Sequence, residues 1–202
     1  MKHSITALLC TLFTTFCFAE NKVSVIEYCP APGQFVNTLP IIESEDDVLQ
    51  KVQQNLERGS MISLGAFGGY MVAEFNHPLA NAEGYDLIIL GNAFATSAEP
   101  GIVMVSRDAN QNGIADDRWY EIAGSEYARS TQNYEITYYR PEADKDTLKE
   151  LKEYIRWSDN QGNSGWVSKN ATHLQGYYPA WIDAHSLTFK GTLPPTNSIA
   201  TS

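Results

Sequence analysis

From Ser60 to Arg140 the chain repeats one arrangement, a short run of β-branched and aromatic residues followed by a break of Gly, Asn, Asp or Pro. "SMISLGAFGGYMVAEFN", "YDLIILGN", "GIVMVSRD", "RWYEIAG" and "NYEITYYR" all carry residue types that suit a pleated, half-buried surface. At strand-plus-loop spacing such runs pair antiparallel and pack sheet on sheet. "KVSVIEY" before them and "SLTFKG" after them extend the pattern. Two segments interrupt it. "SEDDVLQKVQQNLERG" reads as a helix: Ser44 caps it, acidic residues load its first turn, and Val48, Val52 and Leu56 share one face before Arg58 and Gly59 close it. "DTLKELKEYIRW" reads as a second helix, with Leu148, Leu151 and Ile155 on one stripe. The expected fold is mainly β, an antiparallel β-sandwich of jelly-roll type with two peripheral helices.

The first residues belong to a different regime. Lys2 and His3 precede an uncharged stretch from Ser4 to Ala19, the pattern of a secretory signal peptide with cleavage expected before Glu20. The alternative is a lipoprotein signal acylated at Cys17, although Phe16 is bulkier than such a signal carries there. No later stretch approaches the ~20 apolar residues of a membrane-spanning helix. The expected organisation is a signal peptide at 1–19, one β-sandwich domain at 20–191, and a Pro-, Thr- and Ser-rich tail at 192–202. Export follows, to the periplasm, the cell surface or the medium. Loss of Cys10 and Cys17 with the leader strands Cys29, which excludes an internal disulfide as a source of stability. A formal charge of −10 disfavours nucleic acid and anionic membrane surfaces as partners. It suits a protein that holds divalent cations or neutral ligands.

The densest chemistry lies in "SRDANQNGIADDRWYE". Calcium takes six to eight oxygens, and a short chain supplies them when acidic and amide side chains alternate around one point. Asp108, Asn110 and Asn112 have that spacing, and Gly113 permits a bend. The Ile114 carbonyl then falls at the seventh loop position and Asp116 at the ninth, with Asp117 beside it. Trp119 stands where an EF-hand loop carries its bidentate Glu, so Glu99, Asp117 or Glu121 is needed for the missing carboxylate. An Asn/Asp-rich turn capping its own backbone is the competing reading. Magnesium, which keeps its waters, suits this donor set less well. Zinc is poorly served, because His77, His173 and His185 lack mutual ligand spacing.

Aromatic residues follow the loop. Neighbours on a strand point to opposite faces, so one of Trp119 and Tyr120 should face inward and the other is a candidate ligand platform. Trp157, Trp166, Tyr178 and Trp181 lie among Asn, Gln and Gly, a mixture that suits a sugar face or another large planar ligand. It also suits loops lying over a sandwich. "LGAFGGY" is followed by neither a helix nor a Lys-Ser/Thr pair, so it reads as a tight hairpin and not a phosphate loop.

"YCPAPGQFVN", "SLGAFGGYMVAEFNHPLANAEGYDLIILGNAF", "EPGIVMVSRDANQNGIADDRWYEIAGSEY" and "YEITYYRP" together resemble a family of cell-surface proteins common in Bacteroidetes. The likeness runs from about Tyr28 to about Gly191, with "GNAF", "EPGIVMVSRD" and "DDRWYE" its most specific wording. Some members are encoded beside outer-membrane receptor systems, cobalamin-uptake loci among them, so the resemblance implies ligand capture at the surface. Members continue past the "GTL" point with a further strand-rich segment, where this chain has "PPTNSIATS".

Three functions are open at this level. One is a calcium-stabilised protein that binds a glycan, a corrinoid or another small molecule, with an outer-membrane receptor system as a possible partner. Another is a hydrolase in which Glu99, Glu121 or Glu126 works with Asp117 as acid and base. No nucleophile–base motif accompanies those carboxylates. The last is a structural envelope protein. Binding is the expectation, with catalysis the alternative.

Overall fold

Alternation along "TQNYEITYY" builds the centre of the molecule, because Tyr134, Ile136 and Tyr138 are buried on one face while their neighbours are not. The computed structural model describes residues 22–38, 44–94, 97–112, 114–142, 153–169, 173 and 175–195. The strand holding these three residues is β7 (Thr131–Tyr139), counting β1 (Val23–Cys29), β2 (Tyr70–Phe75), β3 (Ala93–Phe94), β4 (Ser97–Ala98), β5 (Met104–Ser106) and β6 (Trp119–Glu121) before it. After it come β8 (Glu153–Asp159), β9 (Ser164–Ser168) and β10 (Ser186–Leu193). The last four form one antiparallel sheet in the order β10-β7-β8-β9. β1 pairs antiparallel with β2, β3 with β4 and β5 with β6. The described chain is therefore mainly β and antiparallel, with one α-helix, α1 (Glu45–Glu57).

Two apolar clusters hold the four-stranded sheet and the β1–β2 pair with its helix. The larger joins Tyr134, Ile136 and Tyr138 to Ile155, Phe189, Ala31, Tyr177 and Tyr178. The smaller sets Val48 and Val52 of α1 against Tyr28 of β1, with Trp181 packed beside them. A hydrogen-bonded clasp strengthens this second contact. The Val25 amide donates to Gln53 Oε1 at 2.7 Å, and Gln53 Nε2 donates to the Val23 carbonyl at 3.1 Å. The Asn76 amide donates to the Lys22 carbonyl, so by alternation the N–H and C=O of Val23 and Val25 face away from β2, and the helix satisfies backbone groups on the open edge of β1.

Four expectations change. The second helix, expected over 146–157, is replaced in its last part by β8, whose Ile155 is fully buried among rings of the larger cluster. Residues 143–152 lie outside the described residues. Tertiary burial overrides a helical stripe here, since Ile155 fits a sheet face equally well. "YDLIIL" forms no strand: Tyr85 is 96% exposed and Leu90 88%. β-propensity is realised only beside a neighbouring strand, and this run has none among the described residues. "LGAFGGY" is a turn but not a hairpin between strands, because only β2 follows it and β1 is the partner of β2. Finally, the sheet continues through Thr192 and Leu193, where the tail was expected to begin.

Candidate metal loop and its surroundings

β5 and β6 are three residues each, and the loop between them carries the Asp/Asn cluster. Asp108 Oδ1 accepts the Asn112 amide at 3.1 Å, and Asn110 Oδ1 accepts the same amide at 3.0 Å. Asn112 Oδ1 accepts the Ile114 amide at 2.8 Å. Asp117 Oδ2 reaches back to the Ala109 amide at 2.9 Å and closes the base of the loop. The side-chain amides of Asn110 and Asn112 both turn to the Asp116 carboxylate, at 3.3–3.4 Å. Gln111 takes a left-handed φ of 59° that reverses the chain at the tip. Gly113, the expected bend, lies outside the described residues.

The loop thus gathers Asp108, Asn110, Asn112, Asp116 and Asp117, the side chains that sequence spacing singled out, and places the Ile114 backbone among them. All are hard oxygen donors, the type calcium takes. Each amide or carboxylate oxygen has two lone pairs, so accepting one backbone N–H leaves capacity for an ion. Among the described residues no three His, Cys, Asp or Glu side chains group as a metal site. An ion here would therefore draw on amide and main-chain oxygens as much as on carboxylates.

One neighbour was not legible in the sequence. A cleft of about 310 Å³ lies beside the loop, lined by Ile114, Ala115 and Asp116 and by Ile26 and Glu27 of β1. Glu27 also accepts the Tyr70 hydroxyl. Nearly ninety positions separate β1 from the loop, so no local spacing pattern could have signalled this approach. Next to Glu27 is Cys29, whose thiol is pushed up first by burial and then by the Glu27 charge. That holds the sulfur protonated and suits a packing role.

The aromatic candidates separate into distinct environments. Trp119 is half-buried and donates from its indole to the Ala115 carbonyl at 3.4 Å, while Tyr120 is 55% exposed with the Arg118 guanidinium 4.9 Å above its ring. Trp166 is 47% exposed on β9. Trp157 packs against the larger cluster, and its ring lies over Gly165, where any Cβ would meet it at 2.7 Å. Trp181 stacks on Tyr28 at 6.2 Å between centroids. Tyr178 is buried, and its hydroxyl donates to the Ala184 carbonyl at 2.7 Å. Tyr120 and Trp166 are the rings free to meet a ligand, and they stand on separate sheets.

The carboxylates considered for acid–base work each have another partner. Glu99 accepts from the Asn92 amide at 3.2 Å, Glu126 is bridged to Arg129, and Glu121 accepts from Thr192 at 2.6 Å. Among the described residues no helix is long and apolar enough to cross a membrane. No protein-family model matches this chain, and no curated protein matches it significantly.

Proposed function

We propose that this chain is an exported, calcium-stabilised binding protein whose antiparallel sheets form a sandwich of jelly-roll type. Its ligand in this reading is a glycan or a corrinoid, met by exposed rings such as Tyr120 and Trp166 and passed to an outer-membrane receptor system. The observation that carries the calcium part is the convergence of the Asn110 and Asn112 amides on Asp116. Without an ion these amides donate hydrogen bonds to the carboxylate. Rotated about their terminal bonds, they turn oxygens toward the same point, and the side chains of Asp108, Asn110, Asn112, Asp116 and Asp117 with the Ile114 carbonyl become a coordination set. The residues do nothing catalytic in this account. They fix a loop that has no core of its own, and with it the strand that carries Trp119 and Tyr120.

Thermal unfolding of the mature protein in excess calcium and in chelator tests this. An ion at a hundred times its Kd stabilises by about 2.7 kcal/mol. For a chain of this size that is a rise on the order of 5–10 °C. The rise should vanish in Asp108→Ala and Asp116→Ala, both of which alter exposed side chains and leave the two clusters intact. Equal melting temperatures in calcium and chelator would reduce the loop to a self-capped turn.

A further inference from the structure

β6 leaves the Asp/Asn loop and reaches the four-stranded sheet at Glu121. Its Oε2 accepts from Thr192 Oγ1 at 2.6 Å, and Thr192 Oγ1 lies 2.8 Å from Gln132 Oε1. A hydroxyl carries one proton, so it cannot donate to both at once. Turning the Gln132 amide end for end resolves this, because its NH₂ then donates to the hydroxyl, whose proton goes to the carboxylate. Thr192 is buried in β10, and Gln132 belongs to β7. Among the described residues this is the one side-chain hydrogen bond that joins β6 to the sheet. The other oxygen, Glu121 Oε1, is buried and has no hydrogen-bond partner. An apolar side chain would join strand to sheet without stranding a polar oxygen, so a carboxyl group at this position points to a role that its hydrogen bond performs.

We propose that Glu121 is a positioning residue that couples the Asp/Asn loop to the β10-β7-β8-β9 sheet through Thr192. The hairpin above it offers only three strand pairs, Met104–Glu121, Val105–Tyr120 and Ser106–Trp119, and no residue described between 53 and 133 is buried. Little else fixes the direction in which β6 leaves the loop. Ordering the loop holds β6, β6 presents Glu121, and Glu121 ties down the far end of β10. The linkage runs both ways, so releasing Glu121 loosens the loop. The anchor itself stands on this geometry alone; only its response to calcium rests on the proposed function.

Hydrogen exchange of single amides tests both parts. The reporter is the Ile122 amide, which donates to the Val103 carbonyl at 2.9 Å. In calcium-free protein, Thr192→Val should speed its exchange about tenfold, and Thr192→Ser, which keeps the hydroxyl, should restore it. Calcium should slow the Ala109 amide, which Asp117 holds at the base of the loop, in all three proteins. It should slow amides at the Gly191–Leu193 end of β10 only where position 192 carries a hydroxyl. An unchanged Ile122 amide in Thr192→Val overturns the anchor. Equal acceleration of every amide in that variant also overturns it, since Thr192 would then be packing alone. If calcium slows no loop amide, the calcium reading falls while the calcium-free comparison still decides the anchor.

Discussion

At Gly65 and Asp159 single residues do what no neighbour could do for them. Gly65 has a left-handed φ of 77°, and a Cβ built there would lie 1.8 Å from the Ala31 carbonyl oxygen. Both the backbone angle and the close approach demand glycine. Gly65→Ala should cost on the order of 2–4 kcal/mol, read as a lower urea midpoint at constant m-value. Asp159 caps the β8–β9 turn. Burial pushes its pKa up, but hydrogen bonds from the Asn163 side chain and amide, the Tyr134 hydroxyl and the Gln161 amide outweigh it and hold the carboxyl below its ordinary value. A depressed folded pKa gives stability that is complete above the unfolded value of about 3.9 and is lost as pH falls through the lower folded one. Urea midpoints at neutral pH and below about pH 3.9 should therefore show a steeper acid loss in wild type than in Asp159→Asn. The clustering of Asp and Asn side chains from Asp108 to Asp117 was readable at this scale because it is local in sequence. The burial of Tyr178 was not, since a tyrosine beside Gly and Pro is equally at home in a core or on a surface.

Elements were legible where their signals are local. α1 begins and ends as its caps require: Ser44 Oγ accepts the Asp47 amide at 3.2 Å, and Arg58 and Gly59 follow the last turn. Ser44→Ala should lower stability by about 1 kcal/mol, with helix content by circular dichroism nearly unchanged below the transition. β7 and β10 are equally readable from their alternation. The segment "EYIRW" was misread because its apolar spacing admits both periods. What decides for β8 is an edge of β7 waiting to be paired, with Trp157 opposite Tyr138 and Ser158 opposite Thr137. Propensity cannot supply a partner edge, and for the same reason "YDLIIL" has strand composition without a strand.

Over the whole molecule, burial is uneven. The two clusters draw their buried residues from 28–52 and 134–189, and the loop region between them rests on short ladders and side-chain hydrogen bonds. Local opening follows low burial. Limited proteolysis of calcium-free protein should cut first between residues 76 and 130, with the β7–β10 segment surviving longest. Calcium should slow those early cuts if it binds the loop, and mass spectrometry of the fragments reads both effects.

The sequence by itself determined the mainly β, antiparallel character, the first helix with its caps, and the Asp/Asn make-up of the loop. Each depends on residues within a few positions of one another. Tertiary structure alone decided which strands pair, that Ile26 and Glu27 line a cleft with the loop, and that Glu121 is held by Thr192 and not by the Asp/Asn loop. Strand pairing brings together residues as far apart as Thr131 and Leu193, and the other two contacts join positions 71 and more residues apart. They are fixed by where the buried rings of β7 and β10 can pack, and no local pattern in the chain encodes that.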